Sequence, residues 1–269
     1  MENDRSASVI IKCLSAVHVP TVVVRGLIVC LVAAAGCPPT TPPPTDSPPD
    51  TVPDFSSASF SNSTQIDNPY LSFPVGTAWT YAVETDEGAE RILVEVLDET
   101  REVNGVTCRV VRDRVFLNDA LIEDTRDWYA QDDDGNVWYM GEDVDNYRYD
   151  GQGNLIDITH EGAWEAGLDV AGTGENALPG YAMPADPGPG DVYNQEYYPG
   201  EAEDRGEVVA LGVEITLSDG TTYACLQTLD TNPLDGGPGE FKYYAEGVGL
   251  VAEEPADGGE RVELVEVTP

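Results

Sequence analysis

Lysine is nearly missing from this 269-residue chain: Lys12 and Lys242 are the only two. Histidine is as scarce, at two residues, and the five cysteines form no CxxC motif. Without HExxH or a multi-histidine cluster, the usual zinc sites are excluded. No GxSxG elbow, phosphate-cradling glycine loop or Cys/His pairing stands in the sequence, which removes the common signatures of acyl and phosphoryl transfer. Thirteen basic residues face 50 acidic ones, a net charge of −37. A surface of that sign repels nucleic acid and anionic headgroups, so neither is expected as a partner. No window carries a long helical repeat. The one long apolar run, Leu27 to Ala35, is too short to span a bilayer permanently.

That run does have a reading. Arg25, then LIVCLVAAA, then Gly36 and Cys37 follow the charged, apolar and small-residue order of an export signal. Ala34, Ala35, Gly36 and Cys37 resemble a bacterial lipobox, with alanine at 34 where leucine is usual. The resemblance implies that Cys37 is acylated and becomes the new N-terminus, making residues 1–36 a lipoprotein signal peptide. Removing the leader takes two of the 50 acids and three of the 13 bases, leaving 48 against 10. Lys242 is then the sole lysine and His160 the sole histidine. Alone in THEGAWE, His160 is expected on the surface.

Pro38 to Pro53 holds eight prolines in sixteen residues. Such a segment favours extended polyproline II, builds no core, and at roughly 3.1 Å per residue spaces a domain on the order of 50 Å from its anchor. With the serine-rich stretch after it, residues 37–64 read as a Pro-rich disordered linker. Residues 65–269 read as a single β-rich domain, long enough to bury a core.

Strand signals run through that domain. TAWTYAVET, RILVEVLDET, TCRVVRDRVFL, ALIEDTRDWYAQ, NVWYMGE and EVVALGVEITL alternate apolar or aromatic with polar residues and are rich in β-branched side chains. Asn104-Gly105 and Ser218 to Thr222 have the chemistry of hairpin turns. The expected fold is mainly β: a curved antiparallel meander sheet or half-barrel with long Gly/Pro-rich loops.

Two regions concentrate candidate chemistry. Asp127 to Tyr147 packs seven carboxylates and five aromatic rings into twenty-one residues. Placing Gly135 at the glycine position of an EF-hand puts Ala130 and Gly141 where oxygen ligands are needed, so that reading fails. Asp132 to Asn136 fit a turn between two strands instead. A different calcium site, from Asp132, Asp133, Asp134, Glu142 and Asp143, is the one metal reading left open; no other cofactor is expected. The second region, Ala163 to Asp204, is rich in Gly, Pro and Tyr and too long for a casual loop. The binding expectation is that Trp128, Trp138, Trp164, Tyr197 and Tyr198, with Glu196, line one concave face with acids at its rim; burial in the core is the alternative for each tryptophan. A hydrolase would instead need two of Glu142, Glu196, Glu203 and Asp204 to converge in a cleft, about 5 to 9.5 Å apart. Cys108 and Cys225, both in strand-like runs of an exported chain, are expected to form a disulfide.

The ordered motifs FPVGTAWTY, DWYAQDDDGNVWYMGE, WEAG, PGYAMPADP, YNQEYYPGEAED and KYYAEGVGLV resemble a family of secreted bacterial proteins, many of them lipoproteins, to which no activity is assigned. The resemblance runs from about Phe73 to Val251 and implies an exported domain. The combined expectation is a β domain of the cell envelope, touching a bacterial membrane only through its lipid. It would act as a binding or surface-structural module for a small-molecule, peptide or glycan ligand, with the hydrolase and the calcium-binding surface protein as alternatives.

Overall fold

The computed structural model describes Pro49, residues 51–234 and residues 236–269. The segment expected as a signal peptide, Cys37 and most of the proline-rich stretch lie outside the described residues. Five strands form a first meander: β1 Ala78–Thr85, β2 Gly88–Val103, β3 Val106–Leu117, β4 Ala120–Gln131 and β5 Val137–Tyr149. Three short ones, β6 Leu155–Thr159, β7 Trp164–Glu165 and β8 Leu178–Met183, all return to pair with β5. β9 Val192–Asn194 and β10 Glu196–Tyr197 follow. A second meander comprises β11 Arg205–Thr216, β12 Thr222–Thr231, β13 Glu240–Ala245, β14 Gly249–Pro255 and β15 Val262–Thr268. The mainly β, curved antiparallel meander expected from the alternation is what forms.

It curves further than a half-barrel. The strands run in the order β10-β8-β5-β4-β3-β2-β1-β15-β14-β13-β12-β11-β9. Its two ends are one stretch of chain, because only Gln195 separates β9 from β10. β9 pairs with β11 and β10 with β8, so the sheet bends into a nearly closed barrel. A glycine permits the closure: a Cβ on Gly180 in β8 would collide with the Asn194 carbonyl and with Gln195.

Turn chemistry sets the registers. Asn104 and Gly105 both take positive φ, 48° and 81°, which matches the twist of the flanking strands. At the β4–β5 turn the Asp132 carboxylate accepts from the Asp134 and Asn136 amides at 3.1 and 2.9 Å. Alternation then sorts the faces. Val94, Asp113, Thr125 and Val144 stand in one rung across β2 to β5, and all four point inward and are buried. Their neighbours Arg112 and Asp124 pair on the outward face, Arg112 Nε donating to Asp124 Oδ1 at 2.7 Å.

Two expectations change here. Residues 51–64, read as linker, are folded onto the sheet. Thr51 donates to Asn194 Oδ1 at 2.7 Å, and the Gln131 amide donates to the Ser63 carbonyl at 2.9 Å. Phe55 and Phe60 pack on Trp138 with centroids 5.3 and 6.3 Å away. Two phenylalanines in a serine-rich run are apolar area that a solvated linker would leave in water. Residues 51–64 are therefore packed with the strands that follow. Cys108 and Cys225 are free thiols, not a disulfide. They sit on β3 and β12, which β2, β1, β15, β14 and β13 separate along the sheet, and both are buried in the apolar core.

Candidate functional site

A cavity of about 790 Å³ is lined by β1, the start of β2, the β3–β4 turn, the β11–β12 turn and β15. Its size suits a small molecule. The rim is held by short-range chemistry. Asn118 and Asp119 adopt left-handed φ of 49° and 67°, a conformation these two residue types tolerate. The Asn118 amide side chain then donates to the Glu87 carbonyl at 3.0 Å. Across the cavity the Ser218 amide donates to Glu263 Oε2 at 2.7 Å, and Arg261 donates both to Glu263 and to the Thr216 carbonyl. These bonds fasten the β11–β12 turn to β15.

The lining has apolar and acidic parts. Val83, Phe116, Leu217 and Leu264 supply the first. Glu84, Glu90, Asp119, Asp219, Glu260 and Glu263 supply the second, against two bases, Arg91 and Arg261. Both bases are engaged: Arg261 by Glu263, and Arg91 by the face of Phe116, 4.1 Å from its centroid. Glu90 is distinct among the acids. It is only 7% exposed, and its Oε1 finds no hydrogen-bond partner among the described residues. Burial, with Glu123 and Glu87 nearby, pushes its carboxyl up to about 7.

Deeper in the barrel lies a set of buried charges. Asp127 and Glu142 are direct cross-strand partners on β4 and β5, and Asp113 is one rung away on β3. On the far wall Thr228, Lys242, Glu253 and Val262 form another inward rung. Lys242 Nζ lies 3.3 Å from Asp230, 3.2 Å from Glu240 and 3.7 Å from Glu253. Burial opposes the lysine charge, but these three acids together hold its ammonium well above the usual range. Neither Asp113 oxygen has a hydrogen-bond partner among the described residues, and burial beside Asp127, Glu123 and Glu253 raises its carboxyl well above the usual range. Burial likewise lifts Asp127 to about 8, although the Tyr139 hydroxyl donates to its Oδ1 at 2.8 Å and opposes the rise. The interior therefore stores protons at neutral pH.

The residues singled out in the sequence go elsewhere. Trp128, Trp138, Trp164, Tyr198 and Glu196 are all buried; Tyr197 alone is half-exposed. They line no common open face. Trp128 lies beneath the Arg101 guanidinium, 3.9 Å from its centroid, while Trp164 packs edge-on to Tyr139 at 5.3 Å. Tyr198 donates to Asp169 at 2.6 Å. The calcium set is dispersed too. Asp132 is saturated by its own turn and by Trp138 Nε1 at 2.8 Å, Asp133 accepts from Ser61, and Glu142 points inward while Asp143 points out. Among the described residues no group of three or more His, Cys, Asp or Glu is placed to hold a metal. Glu142, Glu196 and Asp204 are buried, Glu203 accepts from the Gly200 amide, and none of the four lines the cavity. His160 is at the surface, beside the Val144 carbonyl and Asp145.

Glu90, Asp113 and Glu253 are not among the candidates that the sequence offers, since an acid-rich composition assigns acids to water. The signal that finds them is parity: Asp113 shares its face of the strand with Val111 and Val115. Comparison with known protein families, curated proteins and solved structures gives no match, which leaves the site's own geometry as the basis for function.

Proposed function

We propose that this chain is an exported, lipid-anchored binding module that holds a small ligand in the cavity between β1, β2, the β11–β12 turn and β15. The observation that carries the reading is the cavity itself: about 790 Å³ with a mixed apolar and acidic lining on a rim tied by hydrogen bonds. A rigid sheet presenting shaped turns is the arrangement on which binding sites are commonly built. Export and anchoring rest on the Arg25 to Cys37 leader and on the family resemblance. The hydrolase reading has less behind it, because its four carboxylates do not face the cavity.

The test is a thermal-shift screen of small molecules, peptides and glycans on the mature chain and on Ala89→Trp, a change on the cavity wall. A compound that raises Tm in the parent and not in the variant supports the site. Compounds that stabilise both equally place their site elsewhere and defeat this assignment.

A further inference from the structure

The cavity's charge goes beyond a generic pocket. Of its two bases, Arg261 is paired with Glu263, and Arg91 lies over Phe116 on the face of β2 opposite Glu90, so a ligand reaching Glu90 meets carboxylates first. On Glu90's own face its direct cross-strand partners are Val83 on β1 and Leu117 on β3, and the charged groups that act on it are acidic: Glu123 on β4 and Glu87 in the β1–β2 turn. Glu263 on β15 and Asp219 in the β11–β12 turn face the same space. An anion placed there would add repulsion to desolvation, whereas a cation would relieve both. Glu90 is the strongest pointer, since a buried carboxylate oxygen without a partner is costly to leave unmade and is stabilised by a donor brought in from outside.

From this we infer that the cavity takes an organic ammonium ion, with Glu90 as its counter-charge and Val83, Leu217 and Leu264 against its apolar body. The inference rests on the binding reading above and names its ligand class. An ammonium donates up to three hydrogen bonds. One of them reaches Glu90 Oε1, and the acids at the rim attract the ion on approach. Because Glu90 holds its proton up to about pH 7, the site pairs with an ammonium once that proton leaves, so binding strengthens as pH rises from 5 to 8 while the amine stays charged.

The experiment compares three fluorescent probes of one ring system: dansylcadaverine (cationic), dansylamide (neutral) and dansylglycine (anionic). At pH 8 dansylcadaverine is expected to bind at least about tenfold more tightly than dansylglycine, with the preference shrinking toward pH 5. Glu90→Gln, which keeps the side chain's shape, is expected to fold with a Tm at pH 8 no lower than the parent's, since it removes a carboxylate whose ionisation opposes folding, and to lose both the cation preference and its pH profile. Equal binding of cation and anion, or an unchanged preference in Glu90→Gln, overturns the inference. If dansylamide binds the parent and not Ala89→Trp while no cation preference exists, the ammonium assignment fails and the cavity survives as a binding site. If none of the three binds and the wider screen is also silent, both fall together.

Discussion

Lys242 and Glu253 stand directly opposite each other on β13 and β14, both buried, with Nζ 3.7 Å from Oε1. The only lysine among the described residues is thus spent inside the barrel, where it answers to three acids at once. Removing one partner of such a pair leaves an uncompensated charge away from water.

Lys242→Met takes the one cation away from Asp230, Glu240 and Glu253 together and is expected to cost roughly 3 to 5 kcal/mol. Glu253→Gln leaves the lysine two acids and costs less. Urea unfolding of the two variants measures the asymmetry; equal losses would show that Glu253 alone balances the lysine.

Stability is expected to fall as pH rises from about 4 to about 8. Unfolded, Asp127 releases its proton near its ordinary value of 3.8, while folded it keeps the proton to about 8. The native state therefore binds more protons across that window, at about 1.4 kcal/mol per pH unit for each such carboxyl. Asp113 adds a contribution of the same sign. Urea midpoints at pH 5, 6 and 7 should decline in the parent and decline less in Asp127→Asn.

Neither inner cysteine should react in the native state. Burial pushes the Cys108 thiol up to about 12 and the Cys225 thiol up to about 11, and only a thiolate attacks a disulfide reagent. Ellman's reagent is expected to stay colourless with native protein and to count both thiols in urea, with Tm unaffected by reductant. A reductant-dependent Tm would restore the bridge.

Gly180→Ala tests the closure. The added methyl meets the Asn194 carbonyl across a backbone contact, an overpacking expected to cost about 1 to 3 kcal/mol. Amide exchange should rise along residues 192–197 before it rises on β2 or β3.

The proposed anchor predicts that cells fed radiolabelled palmitate label the parent and fail to label Cys37→Ser. Label retained by the variant would separate the protein from its lipid.

The β architecture was legible because alternation is a local property of each strand: VRDRVFL and DWYAQ show their pleat residue by residue. The Asp132 to Asn136 turn was legible for the same reason, its carboxylate bonding amides two and four residues on. What could not be read is set by distant partners. Trp138 looks like a ligand platform until Phe55 and Phe60 cover it from more than seventy residues upstream. Glu90 reads as another surface acid until the β11–β12 turn arrives over β15. The inward acids hide in composition, since only a known register tells that Asp113 faces Thr125 and Val94 rather than water.

Thr51 gives its side chain and its carbonyl to Asn194, and Asn194 is where the ring of strands meets itself. Tension carried along the chain from its amino-terminal side therefore reaches the seam between β9 and β10 through Thr51.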